Sequence, residues 1–311
     1  MNSIVNGRIL SVSSVCAQAT ADPISLIRQE ETRYQTEIEQ VADRIHDERT
    51  NRHIVLLTGP SSAGKTTTAS RLEKELEARG TAAHVVSLDD FYLGEGKAPL
   101  LPDGSPDYET IDALDVDRLM TCLQELVRDG KTSLPVFDFV THGPLPEERM
   151  LVLEEDAAVI LEGIHAFNPK ISACLPPENI TRLFINALSR FEKDGETWLK
   201  RRDMRLIRRI LRDEQFRGSP FANTMKMWPQ VVRGEELYLF PYADAADCVI
   251  DTTFAFEPCI IKSLLLPRLA KVERNTPDYD TARYLIERLS VFCDLPLSLL
   301  PADSMLREFT G

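Results

Sequence analysis

The 311-residue sequence lacks long apolar runs, because no segment approaches the roughly 18 consecutive apolar residues that a membrane-spanning helix requires. Glycine and proline are also scarce, at 14 and 19 residues, which excludes a low-complexity or collagen-like chain. Hydrophobic residues make up 43% and charged residues 27%, the composition of an ordinary globular protein. The length suits one large domain or two ordinary ones, and we expect no membrane partner.

Positive charge is in deficit. Lysine and arginine number 36 against 49 aspartates and glutamates, which gives a formal net charge of −13. A field of that sign repels nucleic-acid phosphates, so the composition disfavours a nucleic-acid partner. A local cluster of basic residues in such a chain is therefore informative.

Cysteine motifs are absent as well. The chain has no C-x-x-C pair and no cysteine near a histidine at ligand spacing. The six cysteines are Cys16, Cys122, Cys174, Cys248, Cys259 and Cys293. This distribution indicates reduced thiols in a cytoplasmic protein.

The first 20 residues partly imitate a signal peptide, with Arg8, a mildly apolar stretch over 9–17 and the small residues of Ala17-Gln18-Ala19. Three serines dilute the apolar stretch and a single cation precedes it, which disfavours export. The sequence instead predicts a disordered N-terminal segment over residues 1–21.

A single amphipathic helix is predicted over residues 22–50. Apolar residues recur there at steps of 7, 4, 3 and 4 among polar neighbours, at Ile27, Tyr34, Ile38, Val41 and Ile45. Our interpretation is that this helix packs on the domain that follows. The alternative is a dimer-forming helix, which leaves a homo-oligomer open.

Short apolar runs alternate with helical patterns along the rest of the chain. Buried strands are predicted at 53–58, 83–88, 157–161, 181–185 and 248–251. Helices are predicted at 115–129, 164–174, 194–216, 222–238 and 257–273, with an exposed loop over 94–107. This alternation indicates an α/β fold, a parallel sheet with helices on both faces and ligands at the carboxyl ends of the strands. We expect one domain over 51–255 and a C-terminal helical extension over 256–311.

The strongest motif, G-x-x-x-x-G-K-[ST], lies between the first predicted strand and a helix. It comprises Gly59, Pro60, Ser61, Ser62, Ala63, Gly64, Lys65 and Thr66, and Thr67 follows it. In a P-loop the glycines let the backbone curl, so that N–H groups point at phosphate oxygens. Lys65 brings charge to the outer phosphates, and the Thr66 hydroxyl offers a ligand to Mg²⁺.

A P-loop identifies a nucleotide site without identifying the reaction. The sequence has neither a guanine-reading N-K-x-D motif after the loop nor an L-S-G-G-Q-like signature. These absences disfavour a GTPase and a transport ATPase. What remains is a P-loop fold that transfers a phosphoryl group from ATP to a small acceptor.

Acidic residues end two of the predicted strands. Asp89 and Asp90 close the second strand, and Glu162 closes the third. One of the two aspartates is suited to accept the proton of an acceptor hydroxyl, and Glu162 is suited to hold the metal or its waters. The alternative is that the aspartates are a solvated strand end or a cap for the next turn.

A basic cluster lies between residues 200 and 217, where eight lysines and arginines are accompanied by three acidic residues. At steps of 4, 3 and 4, one side of a helix carries Arg201, Arg205, Arg208 and Arg212. We interpret this side as a lid, over about 195–218, that closes on a polyphosphate. The alternative is a solvated helix face paired with acidic neighbours.

Taken in order, these motifs resemble the uridine kinase and phosphoribulokinase superfamily. The motifs that carry the resemblance, between about 50 and 255, are Gly59–Thr66, Ser87–Tyr92, Pro106–Asp112, Phe137–His142, Glu162–Ile164 and Arg205–Gly218. Two further segments, 224–236 with Val-Arg-Gly-Glu-Glu and the Leu-Arg-Glu-Phe of 306–309, are similar to bacterial-type uridine kinase-like proteins. The resemblance implies a nucleoside kinase that uses ATP and Mg²⁺.

The resemblance also implies roles for single residues. Asp89 corresponds to the base for a nucleoside 5′-hydroxyl, and Glu162 corresponds to the metal-side acid. His142 corresponds to a contact that recognises the base, and the motif of Tyr92 belongs to the substrate side. Lid arginines of the pyrimidine kinases are matched by Arg209, Arg212 and Arg217.

Four positions depart from the family's pattern. Asp90 replaces a serine, Glu109 replaces a ribose-binding aspartate, and Phe137 replaces a tyrosine. Ser219 stands where a substrate-contacting arginine is frequent. Because the phosphate-handling residues match without substitution, the resemblance implies a kinase with uridine or cytidine as the leading acceptor. Two alternatives stay open, a kinase of another small alcohol or sugar phosphate and a non-catalytic ATP-binding regulatory protein.

Overall fold

The computed structural model describes residues 7–48, 53–138, 141, 143–173 and 175–311. Its strands are β1 (Ile9–Ser11), β2 (His53–Thr58), β3 (Ala83–Ser87), β4 (Lys131–Leu134), β5 (Phe137–Asp138), β6 (Gly143–Pro144), β7 (Arg149–Val152), β8 (Ala158–Glu162), β9 (Ile180–Asn186), β10 (Arg190–Lys193), β11 (Glu196–Leu199) and β12 (Cys248–Asp251). Its helices are α1 (Val12–Ala21), α2 (Pro23–Glu48), α3 (Lys65–Ala78), α4 (Val116–Asp129), α5 (Pro169–Ser172), α6 (Arg201–Phe216), α7 (Phe221–Gly234), α8 (Glu257–Leu269), α9 (Tyr279–Ser290) and α10 (Arg307–Thr310).

Five strands form a parallel sheet in the order β12-β9-β2-β8-β3. Every residue of β2 is buried, as expected for a central strand covered on both faces. Alternate residues of β2 enter two apolar layers, with Val55 and Leu57 on one face and Ile54 and Leu56 on the other. This confirms the predicted α/β fold, and all five predicted strands are present.

The register of the sheet aligns the ends of its central strands. Leu57 of β2 and Ser87 of β3 both pair with Glu162 of β8. The segments that follow these strands therefore emerge together at the carboxyl edge, where ligands of parallel α/β sheets bind.

The N-terminal segment is ordered over the residues that the structure describes, so the prediction of disorder over 1–21 is wrong for residues 7–21. β1 pairs in parallel with β10, and α1 buries Val12, Val15 and Ala19. Burial of these side chains offsets the entropy of ordering the segment. Residues 1–6 lie outside the described residues.

The amphipathic helix predicted over 22–50 is present as α2, and residues 49 and 50 lie outside the described residues. Its apolar face is buried within the chain, and the Tyr34 hydroxyl is 2.7 Å from the Thr68 hydroxyl on α3. The helix therefore packs on the sheet domain, and its apolar face is not available for the dimer of the alternative interpretation.

Two predicted helices differ from the structure. Within 164–174 only α5 is helical among the described residues, beginning at Pro169 with Asn168 as its cap. Within 194–216 the first residues form β11, because Asp194 and Gly195 both take a left-handed backbone that turns the chain back from β10. The helix α6 begins only at Arg201.

The extension predicted over 256–311 forms α8, α9 and a terminal segment. Leu265, Leu285 and Phe309 share one apolar cluster with the sheet and with α2. The extension is thus part of the same core. Among the described residues, no helix has both the length and the apolarity to cross a bilayer.

Candidate active site

The P-loop joins β2 to α3 and is held by close backbone packing. Ser62 and Gly64 have positive φ angles of 59° and 89°, which curl the loop as the motif requires. A Cβ on Gly59 would lie 2.2 Å from the carbonyl oxygen of Ile185, so glycine is needed where the loop crosses β9. The Lys65 ammonium donates a hydrogen bond to the carbonyl of Pro60 at 3.3 Å, across the loop.

Buried ion pairs support the loop from α6. Arg205 pairs with Glu235, and the same guanidinium donates to the carbonyl of Ser61 at 3.1 Å. Glu235 also accepts from the backbone N–H of Ser61 at 3.0 Å. Arg208 pairs with Glu257 at 2.6 Å, and both side chains are fully buried. These charges fix the loop in place, since each is compensated where water cannot reach it.

These pairs correct the lid hypothesis. Arg205 and Arg208 do not face a polyphosphate, because they are buried in the core beneath the loop. Arg201 and Arg205 both line a cavity of about 550 Å³ at the end of β9, and neither Asp89 nor Glu162 lines that cavity. The spacing correctly placed the arginines on a shared side, but Arg205 and Arg208 on that side face the protein interior.

The remaining arginines gather around one buried acid. Asp213 forms an ion pair with Arg209 at 3.2 Å and with Arg212 at 3.0 Å. Arg217 is also near Asp213, at 3.9 Å. Arg209 donates to the Ser61 hydroxyl at 2.8 Å, so this group borders the P-loop. The three arginines implied by the resemblance are therefore brought together.

Asp89 and Glu162 lie on adjacent strand ends beside the loop. The Ser87 hydroxyl donates to Glu162 at 2.8 Å, and it accepts from the Asp89 N–H at 3.3 Å. Burial raises the pKa of Glu162 to about 7, and the Asp89 carboxylate acts in the same direction while Lys65 opposes it. Two carboxylates and the P-loop lysine thus share one small region.

Asp90 has a different environment from Asp89. Its carboxylate accepts a hydrogen bond from the Phe137 N–H at 3.3 Å, which ties the segment after β3 to β5. Burial raises the pKa of Asp90 above the ordinary aspartate value. This contact gives Asp90 a structural role that differs from the solvated strand end or cap of the alternative interpretation.

Aromatic and acidic side chains lie near the arginines. The rings of Tyr92 and Phe137 lie 5.8 Å apart, and the Tyr92 hydroxyl donates to the Tyr108 carbonyl at 3.2 Å. Burial raises the pKa of Glu109 to about 7, and Arg209 opposes this shift. A Cβ on Gly234 would lie 2.3 Å from the Glu109 Cβ, so the glycine of the Val-Arg-Gly-Glu-Glu segment makes room for Glu109. His142 lies outside the described residues.

The residues fit a divalent cation. Thr66 is exposed at the start of α3. Glu162 is buried, and the negative charge of the neighbouring Asp89 raises its pKa further. A cation between the Thr66 hydroxyl and this acidic pair would favour the ionised forms. Oxygen donors of this kind are the ligands that Mg²⁺ prefers.

Sequence reasoning gave no role to three residues at the site. Glu235 belongs to the Val-Arg-Gly-Glu-Glu segment and Glu308 to the terminal Leu-Arg-Glu-Phe, two segments that had indicated only a family resemblance. Glu308 accepts from the Thr67 hydroxyl at 2.6 Å. His165 follows β8 with its ring 6.2 Å from that of Tyr238, and burial lowers its pKa to about 4. No pattern in the sequence had marked His165.

Comparison with known proteins agrees with this geometry. Residues 54–173 match the model of the Phosphoribulokinase / Uridine kinase family. The uridine kinase of Saccharomyces cerevisiae is 25% identical over 204 residues, which are 65% of this chain and 37% of that protein. The uridine kinase of Brevibacillus brevis is 26% identical over 198 residues, which are 63% of this chain and 83% of that protein.

A solved structure described as a possible uridine kinase from Bacillus stearothermophilus aligns with 70% of this chain and 98% of its own, at 18% identity and a TM-score of 0.47. The chain spans little more than a third of the length of the yeast relative. The family match covers β2, the P-loop, Asp89 and Glu162. Over residues 54–173 this chain is therefore similar to the phosphoribulokinase and uridine kinase family.

Proposed function

We propose that the protein is an ATP-dependent kinase that phosphorylates a hydroxyl group of a small molecule, with the 5′-hydroxyl of uridine or cytidine as the leading acceptor. The observation that carries this proposal is the shared sheet edge, where the P-loop, Asp89 and Glu162 follow three adjacent strands. A phosphate-binding loop with a carboxylate beside it is the arrangement that phosphoryl transfer to an alcohol requires.

In this proposal Asp89 takes the proton of the acceptor hydroxyl. The acceptor oxygen then bonds to the γ-phosphorus, the bond to the bridging oxygen breaks, and ADP leaves. Lys65 holds the outer phosphates, and Arg209 and Arg212 neutralise the charge that develops during transfer. Arg217 contacts the nucleotide phosphates beside them.

Thr66 and Glu162 would hold Mg²⁺, which when bound supplies charge neutralisation at the transferring phosphate. Backbone N–H groups within residues 62–66 bind the phosphates and orient them for in-line attack. On the acceptor side, Tyr92 and Phe137 provide faces for a planar ring, and Glu109 provides oxygens for ribose hydroxyls.

The acceptor is the part of the proposal that the substituted residues affect. Phe137 lacks the hydroxyl of a tyrosine and Ser219 lacks the charge of an arginine, which favours a second candidate, a kinase of another alcohol or of a sugar phosphate. A non-catalytic ATP-binding regulatory protein is the third candidate. In each case we expect a small-molecule ligand and a location in the cytoplasm. The net charge of −13 disfavours a nucleic-acid partner.

An acceptor screen tests the proposal. Purified protein is incubated with Mg²⁺ and γ-labelled ATP across nucleosides, sugars and sugar phosphates, with Asp89→Asn as the blank. We expect labelled nucleoside monophosphate from uridine or cytidine. If only a sugar or sugar phosphate becomes labelled, that compound is the acceptor in place of uridine or cytidine. Binding of ATP without a labelled product from any acceptor would overturn the kinase proposal.

A further inference from the structure

Three cysteines from distant parts of the sequence converge at one point. Cys16 lies on α1, Cys259 on α8, and Cys293 in the turn after α9. Their sulfur atoms all lie within 4.8 Å of one another, and the sulfurs of Cys259 and Cys293 are 3.4 Å apart. Their spacing along the chain follows no ligand motif, so only the fold brings the three thiols together.

The thiol cluster, defined as Cys16, Cys259 and Cys293, is bordered by polar groups of the backbone and of one lysine. The backbone N–H of Cys293 donates to the Cys16 sulfur at 3.1 Å. The Lys262 ammonium donates to the carbonyl of Phe292, next to Cys293, at 2.7 Å. Cys259 is buried while the other two are partly exposed, so an ion can enter from the surface.

The distances suit a metal ion better than a disulfide. Thiolates that surround a tetrahedral ion at about 2.3 Å are about 3.8 Å apart. In the cluster one pair of sulfurs is 3.4 Å apart and all pairs lie within 4.8 Å, so small shifts reach that geometry. A disulfide uses two sulfurs, and a third thiol at this distance would attack it and exchange. Three convergent thiols are one ligand short of a closed tetrahedral site, which leaves a position for water.

We propose that the thiol cluster binds a thiophilic metal ion, Zn²⁺ or Cu⁺, through three cysteine thiolates. Soft thiolate ligands select such ions. Bound metal joins α1, α8 and the turn after α9, and so ties the N-terminal segment to the C-terminal extension. Because cysteine binds metal ions as the thiolate, binding near neutral pH releases protons to the solvent.

The test uses the reduced full-length protein, prepared without metal under anaerobic conditions. Zn²⁺ and Cu⁺ are titrated separately in competition with a chromophoric chelator, and released protons are measured in weak buffer. We expect one ion per chain and a rise in Tm of about 5 °C with the ion in large excess over Kd. The arm with the tighter binding identifies the ion.

Cys16→Ser and Cys248→Ser form a matched pair, since both positions are partly exposed and only Cys16 belongs to the cluster. Removal of a group that hydrogen-bonds to a metal ligand weakens metal affinity about 10- to 100-fold. Cys16→Ser removes a ligand itself, so its affinity for the ion should fall by at least as much. Cys248→Ser should bind as the wild type does. Equal affinity in the two variants, or no stoichiometric binding of either ion by the wild type, overturns the proposal. These readouts do not involve phosphoryl transfer, so they are independent of the proposed function.

Discussion

The Glu308 carboxylate lies on Thr67 at the start of α3, where it accepts from the hydroxyl at 2.6 Å and from the backbone N–H at 3.4 Å. Met305 packs against the same loop, since a Cβ on Gly64 would lie 2.8 Å from its sulfur. The last residues of the chain therefore contact the P-loop directly. A carboxylate therefore accepts from the N–H group of the residue that directly follows the motif, where a phosphate is expected to bind.

Glu308→Gln is expected to bind ATP more tightly than the wild type. The substitution removes a negative charge from the phosphate site and keeps an oxygen for the Thr67 hydroxyl. Relief of one like-charge repulsion near a protein surface is worth about 1 kcal/mol, or about fivefold in Kd. Isothermal titration with ATP measures it. The control is Glu287→Gln, at an exposed position on α9, which should leave the affinity for ATP unchanged. Weaker binding of ATP by Glu308→Gln would show that the Glu308 carboxylate does not compete with phosphate.

Lys65→Ala is expected to lower kcat about 10³-fold or more with the fold intact. The ammonium is the cation that the P-loop aims at the outer phosphates, and charge stabilisation of this kind is worth about 10³ to 10⁵ in rate. Steady-state kinetics and the Tm of the same preparation separate the two effects. Undiminished phosphorylation would remove Lys65 from the mechanism.

Asp89→Asn is expected to lower kcat by about 10² to 10⁴ with little change in the affinity for ATP, because general-base assistance acts on the transferred proton. Asp90→Asn is the neighbouring control, since its amide oxygen can still accept from the Phe137 N–H. Kinetics with varied ATP at saturating acceptor distinguish the two. An equal loss in both variants would make Asp89 a structural carboxylate.

Local patterns were sufficient for much of this fold. Each strand of the sheet is a short apolar run, and the P-loop is one contiguous motif between β2 and α3, so neither depends on distant residues. The hairpin of β10 and β11 also had a local signal in Asp194-Gly195, which the helical pattern over 194–216 concealed.

Contacts between residues that are far apart in the sequence could not be predicted from local patterns. The spacing of Arg205 and Arg208 defines a side of α6 but not what covers it, and the partners Glu235 and Glu257 belong to later elements. The Glu308 contact and the thiol cluster likewise depend on the packing of the extension. A charge run indicates a function only once its partners are known.

The Arg208–Glu257 ion pair allows a test of how strongly the buried ion pairs of α6 stabilise the protein. Glu257→Gln leaves a guanidinium uncompensated in the core, so the free energy of unfolding should fall by about 3–5 kcal/mol. Glu48→Gln, which breaks the exposed pair with Arg44, should cost less than about 1 kcal/mol. Urea unfolding measures both. Similar losses would mean that burial does not set the strength of the Arg208–Glu257 pair.

Glu162→Gln is expected to gain stability relative to the wild type as pH rises. The folded pKa of Glu162, about 7, lies above the ordinary glutamate value of 4.5, so the folded state binds more protons between those values. The wild type therefore loses up to about 3 kcal/mol of stability from this group as pH rises from 4.5 to 7. Urea unfolding at pH 5 and pH 8 measures the difference, which Glu162→Gln should lack. Glu109, whose pKa is also raised to about 7, keeps its own contribution in both proteins. If the substitution changes stability equally at the two pH values, Glu162 is not the group that titrates.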